Sequence, residues 1–201
     1  KGAPELSGLA WHPGRETLFG VSDEHYMAEI DAEGKVLRRR DYPGRDLEDL
    51  CLLPGEVEFF VVEERGSALL TVRAEDLEIL ASRPLPPISR AVSLNKRYEG
   101  MAYDANRGHL FLLNEQQPAV LVEMELEPEP RVLREVDLDC SEANAVLLPP
   151  GGEELVILSK THGLRLYARD GTPRSPWRAL AVRRAEGAAI IPGRGLYVAS
   201  D

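Results

Sequence analysis

The chain of 201 residues is 43% hydrophobic and 29% charged, with a formal net charge of −10. It can bury a core without a metal or disulfide, but its acidity excludes the basic face that nucleic-acid phosphates require and favours cationic ligands or metal ions. Cys51 and Cys140 are too few for a disulfide framework and stand in no zinc-binding spacing, and no run approaches the roughly 20 apolar residues that span a bilayer.

The opening Lys1-Gly2-Ala3-Pro4 has neither a Met nor an apolar signal core, as in a processed or trimmed chain. The elements predicted after it are short apolar strands bounded by turn residues. Leu6-Ser7-Gly8-Leu9-Ala10 opens the first strand, His12-Pro13-Gly14-Arg15 turns, and Leu18-Phe19-Gly20-Val21 returns to Ser22-Asp23. Ala28-Glu29-Ile30-Asp31 and Val36-Leu37-Arg38 follow, and Arg38-Arg39-Arg40 reads as a solvated strand edge. Leu47-Glu48-Asp49-Leu50-Cys51 then turns at Pro54-Gly55-Glu56, Phe59-Phe60-Val61-Val62 returns to Glu63-Glu64, and Leu69-Leu70-Thr71-Val72 is next. The insertion around Arg83-Pro84-Leu85-Pro86-Pro87-Ile88 reads as an exposed loop. The same succession runs from Tyr98-Glu99-Gly100-Met101-Ala102 to Asn114-Glu115, from Ser141-Glu142-Ala143-Asn144-Ala145 to Ser159-Lys160, and from Ala185-Glu186-Gly187-Ala188-Ala189 to Ser200-Asp201.

Two columns of positions fix the period. Ser7, Glu48, Glu99, Glu142 and Glu186 are spaced 41, 51, 43 and 44 residues apart; Asp23, Glu64, Glu115, Lys160 and Asp201 are spaced 41, 51, 45 and 41. A one-residue slip in the fourth repeat would put Ala143-Asn144 where Glu142-Ala143 is placed. The predicted fold is all-β: a single-domain β-propeller of about five four-stranded antiparallel blades, the last incomplete, with repeats near 5–45, 46–97, 98–140, 141–184 and 185–201. A β-sandwich is the alternative.

In an antiparallel blade the start of the first strand and the end of the second lie at the same end, so both columns share a face. The inner strands line the axis, which puts Glu48, Glu99, Glu142 and Glu186 around the channel mouth as candidate metal ligands. Asp23, Glu64, Glu115, Lys160, Asp201 and Arg65 lie just outside as a ligand face. Converging carboxylates must take up protons, pair with bases or bind a cation, and calcium accepts 6–8 oxygens of the kind such a ring offers. The structural alternative is that each Glu accepts backbone N–H bonds from the neighbouring blade. Arg65, Arg97 and His162 are the candidate counter-charges. His12 and His109 fall beside turns at the far end and are expected to be solvated, whereas His25 and His162 lie near the acids. Ser7 and Ser22 lack any nucleophile context, and Trp11 and Trp177 read as packing residues.

Glu5-Leu6-Ser7-Gly8-Leu9-Ala10-Trp11, Asp46-Leu47-Glu48-Asp49-Leu50, Val62-Glu63-Glu64-Arg65, Tyr98-Glu99-Gly100-Met101-Ala102-Tyr103 and Ala185-Glu186-Gly187-Ala188-Ala189 stand in the order of landmarks in the SdiA-regulated (YjiK-like) family, which the chain resembles. The resemblance implies a propeller in an envelope-associated, periplasmic or exported setting, without an established activity. Three functions are compatible: a ligand- or metal-binding propeller with its site at the acidic mouth, a hydrolase similar to calcium-dependent lactonase propellers, or a protein-interaction scaffold. A lactonase would want Asn beside the acids, and Asn114 and Asn144 are the two placed for it. A monomer with an ion or small-molecule partner is expected.

Overall fold

The computed structural model describes residues 5–89, 98–114, 118–149 and 151–200, and these form antiparallel strands with no helix. The first sheet is β1 (Gly8–His12), β2 (Thr17–Ser22), β3 (Tyr26–Ile30) and β4 (Val36–Asp41), hydrogen-bonded in that order. The second repeats it with β5 (Leu47–Leu52), β6 (Glu58–Glu63), β7 (Ala68–Arg73) and β8 (Ile79–Pro84); the third with β9 (Met101–Asp104), β10 (His109–Asn114), β11 (Val120–Glu125) and β12 (Arg131–Asp137). The fourth holds β13 (Ala145–Leu147), β14 (Glu154–Ser159) and β15 (Gly163–Ala168), and the fifth is a pair, β16 (Ala185–Ile191) and β17 (Gly195–Ser200). Predicted turns close these strands where glycine supplies the left-handed backbone, as at Gly55 (φ 90°) and Gly193 (φ 74°).

The five first strands form a closed ring: β1 lies beside β5 and β16, β5 beside β9, β9 beside β13, and β13 beside β16. Each sheet is a blade radiating from that ring. The apolar core is therefore five slabs, one between each pair of blades, and successive residues of a strand serve different slabs because side chains alternate between faces. Phe59 and Val61 pack toward blade 1 while Phe60 and Val62 pack toward blade 3. Leu110 and Leu112 face blade 2, and Phe111 and Leu113 face blade 4. A strand buried on both faces has no polar phase, which is why these runs are apolar throughout.

Three expectations change. The fourth blade lacks a regular fourth strand: two isolated bridges, Leu164 to Arg178 and Tyr167 to Pro173, stand in its place, in a segment where Pro173 and Pro176 have no N–H to give to a ladder. The insertion after β7 is not simply an exposed loop, since Arg83 and Pro84 complete β8 and Leu85 and Ile88 are buried against blade 3. Arg38-Arg39-Arg40 is not a free edge either. Arg38 binds buried Glu29 and donates to the carbonyls of Ala74 and Glu75 in blade 2, Arg39 stacks 3.8 Å over the Tyr26 ring, and Arg40 donates to Asp76 O.

Candidate functional site

The start of each inner strand is built the same way. Ser7 N–H donates to Val21 O at 3.0 Å, Glu99 N–H to Leu113 O at 2.9 Å and Asn144 N–H to Leu158 O at 2.9 Å. In β5 the ladder pairs Leu47 with Glu63 and Asp49 with Val62, leaving Glu48 as the extra residue of a bulge; β16 carries a similar irregularity around Glu186. Bulges re-aim side chains at strand ends. The structural column is thus Ser7, Glu48, Glu99, Asn144 and Glu186, with spacings of 41, 51, 45 and 42 residues, closer to those of the second column. Glu142 stands two residues earlier, half-buried in the loop before β13. The second column holds its register at Asp23, Glu64 and Lys160, each two residues past the end of its apolar run; Glu115 and Asp201, like Arg97, lie outside the described residues.

The mouth has two unlike halves. On the side of blades 4 and 5, Lys160 Nζ lies 3.1 Å from Glu186 Oε2, Asn144 Nδ2 reaches the same oxygen at 3.4 Å, and Asn144 Oδ1 accepts the Lys160 N–H at 3.1 Å. Here the charges are matched. Ser7 Oγ does for Asp23 N–H, at 3.3 Å, what Asn144 does for Lys160.

On the side of blades 1 to 3 the acids accumulate. Asp46, Glu48 and Glu64 each offer a carboxylate oxygen, all within 4.8 Å of one another. The Glu64 N–H bonds Asp46 O at 2.9 Å, holding the ends of β5 and β6 together beneath them. Glu48 is buried, and burial followed by the fields of Glu99, Asp46, Glu64 and Asp23 pushes its carboxyl from the ordinary 4.5 up to about 10. The groups that act on it most strongly are all acidic. Arg65 is exposed on the β6–β7 turn, while Arg45 turns to Glu63 at 3.0 Å. His25 is bound through Nδ1 to Arg45 O, and His162 packs its ring 5.3 Å from Trp177 and bonds Thr161 Oγ1 at 2.7 Å.

Opposed ligands of a calcium ion, at about 2.3–2.6 Å each, are separated by about 5 Å, so the spread of the three oxygens fits that ion. The donor set, three hard carboxylates with one buried, offers the oxygen ligands that a hard cation takes. Period does not single out Asp46, because the position two residues before the column holds Arg97 and Arg184 in other repeats.

The clasp between blades exists, but on the residue after the column. Asp49 is buried; its Oδ2 accepts Met101 N–H of the next blade at 2.7 Å and its Oδ1 accepts Leu50 N–H at 2.8 Å. Burial pushes its carboxyl well up, against both backbone bonds. Gly8, Gly100 and Gly187 occupy comparable close approaches: a Cβ on Gly187 would lie 2.7 Å from Gly8 Cα and from Ser7 O.

The histidines at the far end are not solvated. His12 is buried, its ring 5.6 Å from Phe19 and 6.2 Å from Phe59 and its Nε2 2.9 Å from Glu56 O, and His109 Nδ1 meets Glu123 Oε1 at 2.9 Å. Ser22 Oγ accepts Glu24 N–H at 3.1 Å, a turn cap rather than a nucleophile's setting.

Comparison with known proteins agrees with this architecture. A family model described as SdiA-regulated matches residues 2–149. The crystal structure of a protein of unknown function from Bacteroides caccae superposes with a TM-score of 0.66 at 14% identity, over 96% of this chain and 70% of that one. The Cps50 (Swd1) β-propeller domain of Myceliophteria thermophila superposes with a TM-score of 0.59 at 14% identity over 81% of this chain, which spans about half (51%) of that chain. At such identity the likenesses speak for the fold alone.

Proposed function

The chain belongs to the SdiA-regulated family, and from that premise we propose that it is a divalent-cation-binding propeller whose site is Asp46, Glu48 and Glu64, with Glu99 close enough to add to the field. The observation that carries this reading is the convergence of three carboxylates, one of them buried, where burial first and the charges of further acids next both disfavour the ionised form of the buried one. Without a cation, Glu48 relieves the repulsion by holding a proton. A calcium ion supplies the missing charge and displaces that proton, so binding strengthens as pH rises. Asn144 is committed to Lys160 and Glu186, which favours binding over a lactonase-like role. In this reading the protein works at the cell envelope, where extracellular calcium modules operate with Kd of about 10⁻⁴–10⁻³ M.

Calcium at millimolar concentration is expected to raise the melting temperature, a chelator to reverse the rise, and the double variant Glu48→Gln, Glu64→Gln to lose the response. A wild-type melting temperature indifferent to calcium would remove the proposal.

A further inference from the structure

At the face opposite the acids the inner strands end in a second mouth of different chemistry. A cavity of about 300 Å³ opens there on the axis, at the lower end of the range for small-molecule pockets. All five blades contribute to its wall, through Trp11 of β1, Leu52 of β5, Tyr103 of β9, Leu148 just past β13 and Ile190 of β16. Among the described residues no charged side chain lines it, in a chain that is 29% charged. An ion entering would lose hydration and meet no counter-charge.

The five wall side chains are half-buried, so large apolar groups encircle a concavity instead of scattering over a surface, the pattern of a binding surface. The walls are strands of a closed ring and need no rearrangement to receive a guest. Each inner strand has one hydrogen-bonded neighbour, and the N–H and C=O groups of its other edge supply uncharged partners toward the axis. Cys51 and Tyr103 add a thiol and a phenol to the lining, and burial pushes both up, so neither carries charge near neutrality.

We propose that this chamber binds a neutral, predominantly apolar small molecule with an uncharged polar group, on the order of ten non-hydrogen atoms at about 30 Å³ for each water-sized group. The chamber stands at the opposite end of the channel from the carboxylates, and the proposal does not depend on them.

1-Decanol is a suitable probe, with decanoate and decylamine as charged controls. Decanol is expected to raise the melting temperature and shift the tryptophan emission saturably, and each charged analogue to bind about tenfold or more weakly. Ile190→Asp and Leu148→Asp, folded by circular dichroism, should each weaken decanol about tenfold or more while leaving any calcium response unchanged. Should both variants fail to fold, decanol is expected to slow alkylation of Cys51 in the Cys140→Ser protein. The proposal fails if decanol gives no saturable response, if the charged analogues bind as well, if both folded variants bind as the parent does, or if Cys51 alkylation is unaffected.

Discussion

Glu48→Gln isolates the energetic centre of the acidic mouth. The folded protein holds the Glu48 carboxyl at about 10 against an ordinary 4.5, so its ionised form is disfavoured by folding. Below pH 4.5 the group carries no penalty, and as pH rises from there toward 10 the fold loses about 1.4 kcal/mol per unit. At pH 7 the accumulated loss is about 3 kcal/mol, the product of 2.5 units and 1.36 kcal/mol. Glutamine keeps the shape and cannot ionise, so in chelator at pH 7 the variant should be stabilised by up to about 3 kcal/mol, or about 6–12 °C for a chain of this size. Near pH 4.5 the two proteins should melt together. Calcium should narrow the gap at pH 7 by stabilising only the parent. Scanning calorimetry at both pH values, with and without chelator, reads all of this. A variant destabilised equally at pH 4.5 and pH 7 would refute the reasoning, since it would mean that Glu48 is held by hydrogen bonds that glutamine cannot copy.

Other outcomes follow from single contacts. Asp49→Ala strands the N–H groups of Met101 and Leu50 and should cost about 2–5 kcal/mol in urea unfolding, equally with and without calcium; a loss under about 0.5 kcal/mol would contradict the clasp. Gly187→Ala drives a Cβ to 2.7 Å from the Gly8 and Ser7 backbone, and an overpacking cost of about 1–3 kcal/mol is expected from the same measurement. Glu29 is buried, which pushes its carboxyl up, but hydrogen bonds from Arg15, Arg38 and Thr17 outweigh burial and leave it lowered. Its contribution is therefore present above pH 4.5 and lost on acidification. Arg38→Ala should move the acid-unfolding midpoint to higher pH and cost about 2 kcal/mol at pH 7; an unchanged acid midpoint would deny Arg38 that role.

The blades were legible because a polar residue stands near the start of each first strand and another stands two residues past the apolar run of each second strand, a spacing that survives the variable outer strands. The fourth repeat was ambiguous because Ser141-Glu142-Ala143-Asn144 offers two polar residues in the same phase, and only the bond from Asn144 N–H to Leu158 O decides between them. Asp46 escaped because its equivalents in other repeats are Arg97 and Arg184, so no acidic period marks it, whereas it joins Glu48 through the fold of a bulge. His12 was misjudged because its neighbours Pro13 and Gly14 mark a turn, while the groups that bury it, Phe59 and the Glu56 carbonyl, arrive from the next blade. The targets of Arg38 and Arg40 lie likewise in residues 74–76. For His12, Arg38 and Arg40, what sequence pattern withholds is the partner across a blade interface.

Those interfaces are not equal. Blades 1 and 2 are tied by His12 and Arg38, blades 2 and 3 by Asp49, blades 3 and 4 by Arg169 on Asp104, and blades 4 and 5 by Lys160 on Glu186. Blades 5 and 1 meet through Leu9, Leu18, Ala189, Ile191 and Ala199, with Gly187 against Gly8. Among the described residues that last seam is thus the greased one, and slow breathing of the ring should begin there: amide hydrogens of β16 and β17 will exchange with solvent before those of β5 and β6, and the axial channel will open sideways at blade 5 before any other blade yields.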